Sequence, residues 1–176
     1  LRVNTQQYSV PQYQDMLTAA GHGSQPSDLS PQALLLDTPC AVTALPEFAK
    51  GAVSVQDAGA QLSAQLMDIR AGQRVLDACA APGGKSGGIA ARMHGEGLLV
   101  ANEIVPSRAK ILGFTLERLG VTNAAVTCAH PDALCEALPE YFDRVIVDAP
   151  CSGEGMFRKD EGAIAEWSEE HVISCA

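Results

Sequence analysis

The second half of the chain constrains its fold most. From Gln56 onward, short apolar runs alternate with helical patterns. "QRVLDACA", "GLLVANE", "NAAVTCA" and "FDRVIVDAP" read as strands. Between them, "SGGIAARM", "PSRAKILGFTLERLG" and "DALCEALP" read as helices, the middle one opened by Pro106 and closed by Gly120. The preceding "QDAGAQLSAQLMDI" puts Ala58, Leu62, Leu66 and Ile69 on one helical face. Strands this apolar, each followed by a helix, predict a doubly wound, mostly parallel α/β sheet covered on both faces.

In such sheets ligands lie beyond the carboxyl ends of the strands, near the switch in strand order. The first strand runs into "DACAAPGGKS", residues 77–86, whose end looks like a phosphate-binding loop. That loop needs a glycine five residues before Gly84, where Cys79 stands, and Pro82 removes an N–H that phosphate would use. A P-loop phosphotransferase is therefore disfavoured, and no GxGxxG is present either. What remains is a small-residue turn, in which Ala80, Ala81, Gly83 and Gly84 let a ligand approach the backbone. The next strand ends in Glu103, 26 residues after Asp77, placed to accept hydrogen bonds from both hydroxyls of a ribose. This pairing suits an adenosine ligand without phosphates, and S-adenosylmethionine is one.

A second constellation, "DAPCSGEGMFRKD" at 148–160, follows the fourth strand. Asp148 stands at that strand's carboxyl end and Cys151 just beyond, on the edge that carries the turn. A thiolate matters for one particular methyl transfer, because carbon 5 of a pyrimidine becomes nucleophilic only after addition at carbon 6. A small buried hydrophobe is the competing reading of Cys151.

"DACAAPGGKS" followed by "DAPCSGEGMFRKD" closely resembles the RNA cytosine-5 methyltransferases of the Nop/Sun (RsmB/RsmF) group, particularly the bacterial branch that acts on small-subunit rRNA. The resemblance implies a class I (Rossmann-like) S-adenosylmethionine-dependent methyltransferase whose last strands are absent here. It places the cofactor on Cys79, Ala80, Ala81, Pro82, Gly83, Gly84 and Lys85, with Glu103 at the ribose and Asp148 after the fourth strand. The adenine-side position falls on His130, where relatives often carry Asp, and nearby Asp132 or the backbone could replace that contact. It makes Asp148 and Cys151 catalytic, with Cys151 serving proton removal or product release. The main nucleophile lies in a later Thr-Cys motif, which Cys175 does not match. RNA, most of all 16S rRNA, is the implied partner. A tRNA substrate, or an inactive RNA-binding or assembly module of the same fold, remains open.

Composition sets the remaining bounds. The net charge of −9 is the wrong sign for a surface that coats itself with nucleic acid. Six cysteines without a CxxC pair argue against a zinc site and a disulfide framework, and point to reduced thiols in a cytoplasmic protein. No apolar run is long enough to span a membrane, and a monomer is expected. Residues 1–50 read as a partial N-terminal α/β unit, with a strand in "LRVNT", a helix in "VPQYQDMLTAAG", and a strand or two in "ALLLDTPCAVTAL". Residues 51–176 read as the methyltransferase unit. The chain opens on Leu1 and ends on "EEHVISCA" without a helix-stop signal, so a fragment cut at both ends is expected. Arg158 and Lys159 are candidate RNA-phosphate contacts; Arg108, Lys110 and Arg118 read as a solvated helix face.

Overall fold

A computed structural model describes residues 1–157 and 160–175; Arg158 and Lys159 lie outside the described residues. Four parallel strands form the main sheet: β5 (Arg74–Asp77), β6 (Leu98–Asn102), β7 (Ala124–Thr127) and β8 (Arg144–Ile146). Their spatial order is β7-β6-β5-β8. The chain leaves β5 toward β6 and β7, then returns to the other side of β5 to lay down β8. That return makes a topological switch point between β5 and β8, where side chains of the connecting segments leave a crevice.

The strands are apolar on both sides because helices lie on both sides. Val75, Leu99 and Ile69 pack with Ile89, Ala90 and Met93 of α3 (Gly84–Met93) and Ala64 of α2 (Ala58–Leu66). Ala101 meets Leu112 and Leu116 of α4 (Pro106–Arg118). Leu76 and Val100 point the other way, onto Leu134 of α5 (Pro131–Ala137). Coverage is unequal: α5 leaves Val126 and Val145 largely exposed. The helical face expected of α2 is displaced. Ala58, Gln61 and Ala64 are its buried positions, whereas Leu66 is 83% exposed. The helix stops at the Met67 cap, so Ile69 enters the core from a loop and no longer shares a face with Leu62 and Leu66.

The N-terminal unit has its own core of Val3, Tyr13, Leu17, Leu34, Leu45 and Val53. Its helix α1 (Val10–Ala19) starts at Ser9 with a reciprocal capping box to Gln12, which satisfies two otherwise free N–H groups. Strands β2 (Ser24–Pro26) and β3 (Leu34–Leu36) form a hairpin, so part of the expected turn-rich connection is a strand. The initial strand β1 (Arg2–Val3) pairs with β4 (Val53–Ser54), beyond residue 50. Arg118 completes the junction. Its guanidinium donates to the carbonyls of Phe48 (2.7 Å) and Val53 (3.1 Å) and lies 4.3 Å above the Phe48 ring. It is a fastener between units and not part of a solvated face.

Candidate functional site

The site grows from the ends of the strands. Asp77, last residue of β5, is fully buried and accepts a 2.7 Å hydrogen bond from the Ser86 hydroxyl in the first turn of α3. Its other oxygen has no partner among the described residues. Burial pushes the Asp77 carboxyl above its ordinary value, against the opposing effects of Ser86 and Lys85. The turn between them is fixed by backbone bonds, Ala80 N–H to Asn102 O at 2.8 Å and Gly83 N–H to Ala80 O at 2.8 Å. Gly83 sits at φ 106°, and among the described residues no side chain caps the α3 N-terminus that follows.

Asn102 was not legible as a site residue, yet it holds three segments together. Fully buried, it donates to Ala78 O (3.2 Å) and Ala129 O (2.9 Å) and accepts from Thr127 and the Ala129 N–H. The only sequence signal is an amide ending the apolar run "LLVAN". Such a residue inside a sheet must be fully hydrogen-bonded, and here its amide joins the segment after β5 to the end of β7 and the loop that follows it.

Glu103 follows, 4% exposed. One carboxylate oxygen accepts from Val105 N–H at 3.0 Å, and the other lies 3.4 Å from the Arg108 guanidinium. Arg108 also donates to Ala81 O at 3.2 Å, so it ties the acid to the turn and lines the crevice. Its assignment to a solvated face is corrected: among the described residues, Lys110 alone of that trio makes no such contact in the site or junction. Sequence spacing could not distinguish them, because Ala81, which Arg108 reaches besides the nearby Glu103, comes from another loop.

A cavity of about 510 Å³ opens here. Cys79, Ala81, Glu103, His130, Asp148 and Cys151 all line it. A neighbouring recess of about 220 Å³ takes in Ala80, Pro82, Gly84 and Lys85 and shares Cys79, Ala81 and Asp148 with the first. Lys85 and Asp148 form an ion pair between the two spaces. Burial, reinforced by Glu103, Asp77 and Asp148, pushes the Cys79 thiol up, which keeps it protonated. His130 caps α5, its ring nitrogen accepting from Asp132 N–H at 3.4 Å, and its side chain is 69% exposed. Cys151 is exposed. Gly83 lines neither space. A Cβ there would point at Thr115 and Leu112 of α4, 3.0 and 3.2 Å away, so close helix packing and a left-handed φ require glycine.

The residues present fit S-adenosylmethionine. The cavity has the volume of a small-molecule site. A buried, pre-oriented carboxylate faces it, and a helix N-terminus without a side-chain cap adjoins it. The parallel sheet, its switch point and this crevice define a class I S-adenosylmethionine-dependent methyltransferase fold. Residues 64–176 match the family model of 16S rRNA methyltransferase RsmB/F, and residues 1–43 match the RsmF/B-like ferredoxin-like domain. The chain belongs to the RsmB/F family. It is 39% identical over its whole length to ribosomal RNA small subunit methyltransferase F of Vibrio campbellii. With that of Escherichia coli it shares 38% identity over 97% of this chain. It spans 38% of the first relative's length and 37% of the second's. Among solved structures, a methyltransferase homolog protein from Pyrococcus horikoshii superposes with TM-score 0.80 at 30% identity, covering 93% of this chain and 54% of that one. NSun6 from Pyrococcus horikoshii with SFG gives TM-score 0.84 at 16% identity, over 99% of this chain and 67% of that one, a likeness of fold.

Proposed function

We propose that this chain binds S-adenosylmethionine in the crevice beyond β5, β6 and β8. Within a longer protein, it methylates carbon 5 of a cytosine in 16S rRNA. The observation that carries this reading is convergence. One cavity is lined at once by Glu103, by Cys79 and Ala81 of the small-residue turn, and by Asp148 and Cys151. Residues 1–50 then serve as a partial N-terminal unit docked on the methyltransferase unit of 51–176, in a monomeric, cytoplasmic protein.

Glu103 would accept the ribose hydroxyls, the walls around His130 would flank the adenine, and the N-terminus of α3 would receive the carboxylate end. S-adenosylmethionine supplies an electrophilic methyl group on its sulfonium. Asp148, held by Lys85, presents a carboxyl to ring nitrogen 3 of a cytosine extruded from its RNA helix. Cys151 stands where a thiolate could take the carbon-5 proton and assist release. The first bond to carbon 6 belongs to a later cysteine, on the family's division of labour.

The test has two arms. Calorimetry should detect S-adenosylhomocysteine binding to this chain and no binding of ATP with magnesium. In a protein extended beyond residue 176, Cys151→Ala should accumulate a covalent enzyme–RNA adduct that survives denaturing electrophoresis. Normal turnover without adduct would remove Cys151 from the catalytic apparatus, and ATP binding in place of S-adenosylhomocysteine would overturn the cofactor assignment.

A further inference from the structure

The segment carrying Cys151 is fastened at a point that the reaction itself does not require. Gly153, at φ 85°, turns the chain back after Ser152 into a single 3-10 turn at Glu154–Met156. The turn brings the Glu154 carboxylate onto its own upstream neighbour: the Ser152 hydroxyl donates to Oε2. The second oxygen is used by a distant residue. Trp167 Nε1–H donates to Oε1 at 2.9 Å, from the link between α6 (Gly162–Glu166) and α7 (Glu169–Cys175). These two bonds, Ser152 first, hold the Glu154 carboxyl below its ordinary value, with a smaller effect from His171.

We infer that Glu154 is a positioning residue: it clasps Ser152 to Trp167 and thereby fixes the loop that presents Cys151. A carboxylate suits the task, because it offers two acceptors in one plane, and each is taken by a different segment. The role of Cys151 rests on the function proposed above. The clasp is read through thiol chemistry and not through methyl transfer, so the two can fail separately.

The experiment is alkylation of Cys151 by iodoacetamide, a neutral reagent, followed by peptide mass spectrometry on the full chain. Cys128, exposed in the loop after β7, serves as the internal reference. Trp167→Phe keeps the ring and every charge but removes the N–H. It should speed Cys151 alkylation by about two- to threefold, the low end of coupling between contacting residues, and leave Cys128 unchanged. Glu154→Ala should do the same, the double variant should go no further, and Glu154→Gln should fall between parent and Glu154→Ala. Trp167 is the only tryptophan, so its fluorescence reports the clasp directly; acrylamide should quench it more in Glu154→Ala than in the parent. An unchanged Cys151 rate in Trp167→Phe, or additive effects of the two single changes, would overturn the clasp. So would unaltered quenching in Glu154→Ala.

Discussion

Replacing Gly87 by alanine should destabilise this protein, although the same change in a helix interior ordinarily stabilises. Gly87 lies inside α3, where alanine gains about 0.5–1 kcal/mol over glycine. The structure opposes that gain. A Cβ at Gly87 would stand 2.6 Å from Leu119 Cδ1 and 2.7 Å from the Arg2 guanidinium. Non-bonded carbons prefer about 3.5 Å or more, so each neighbour must retreat by nearly an ångström. Neither has room. Leu119 is 5% and Arg2 4% exposed, and the recesses beside Arg2 measure only about 20 and 10 Å³. Arg2 lacks a carboxylate among its described partners, and burial lowers its guanidinium to about 10, with Arg118 adding to the effect. Its position is already costly to alter. Overpacking of this kind costs about 1–3 kcal/mol, which leaves a net loss of about 1 kcal/mol after the propensity gain. Gly113 provides the control within the same chain. It lies inside α4 with nothing within 4 Å of its Cβ position, so Gly113→Ala should gain about 0.5–1 kcal/mol. Urea unfolding of the parent and both variants would show midpoints moving in opposite directions. Equal upward shifts would refute the packing argument and mean that Arg2 and Leu119 yield freely.

Three further outcomes follow from the same geometry. Asp77 has a raised folded-state pKa, so its contribution to stability is present below its ordinary 3.8 and is lost as pH rises through the folded value. Asp77→Asn removes that loss, and the stability of the variant relative to the parent should increase with pH; a difference constant with pH would show that Asp77 does not titrate in this way. Glu103→Gln should weaken S-adenosylhomocysteine binding by about tenfold or more, since bonds to a charged acceptor contribute about 1.5–3 kcal/mol, and calorimetry within twofold of the parent would remove Glu103 from the ribose. Gly83→Ala should lower the urea midpoint through its left-handed φ and its contact with Thr115, whereas Gly84→Val should leave stability closer to the parent and weaken cofactor binding; the reverse pattern would exchange the two roles.

The sequence by itself determined the alternation of β5 through β8 with α3, α4 and α5, because apolar periodicity is a local property that each run displays before its neighbours are known. It also marked the turn at 79–85, Glu103, Asp148 and Cys151, since strand ends and small-residue turns are written in adjacent residues. Tertiary structure alone decided which neighbours those residues would have. Arg108 and Arg118 lie on one helix and look alike as a sequence, yet one reaches Ala81 and Glu103 while the other reaches Phe48 and Val53. Gly83 and Gly84 are adjacent, yet a side chain on the first would meet α4 and one on the second would meet Gln56 beside the recess. Gly87 reads only as one residue of the helix "SGGIAARM", yet it accommodates Arg2 from the start of the chain. Apart from the Arg108–Glu103 pair, each distinction depends on contacts between segments far apart in sequence. Those contacts exist only once strand order and helix placement are set, and no local pattern of residues encodes the distance across which a guanidinium finds its carbonyl.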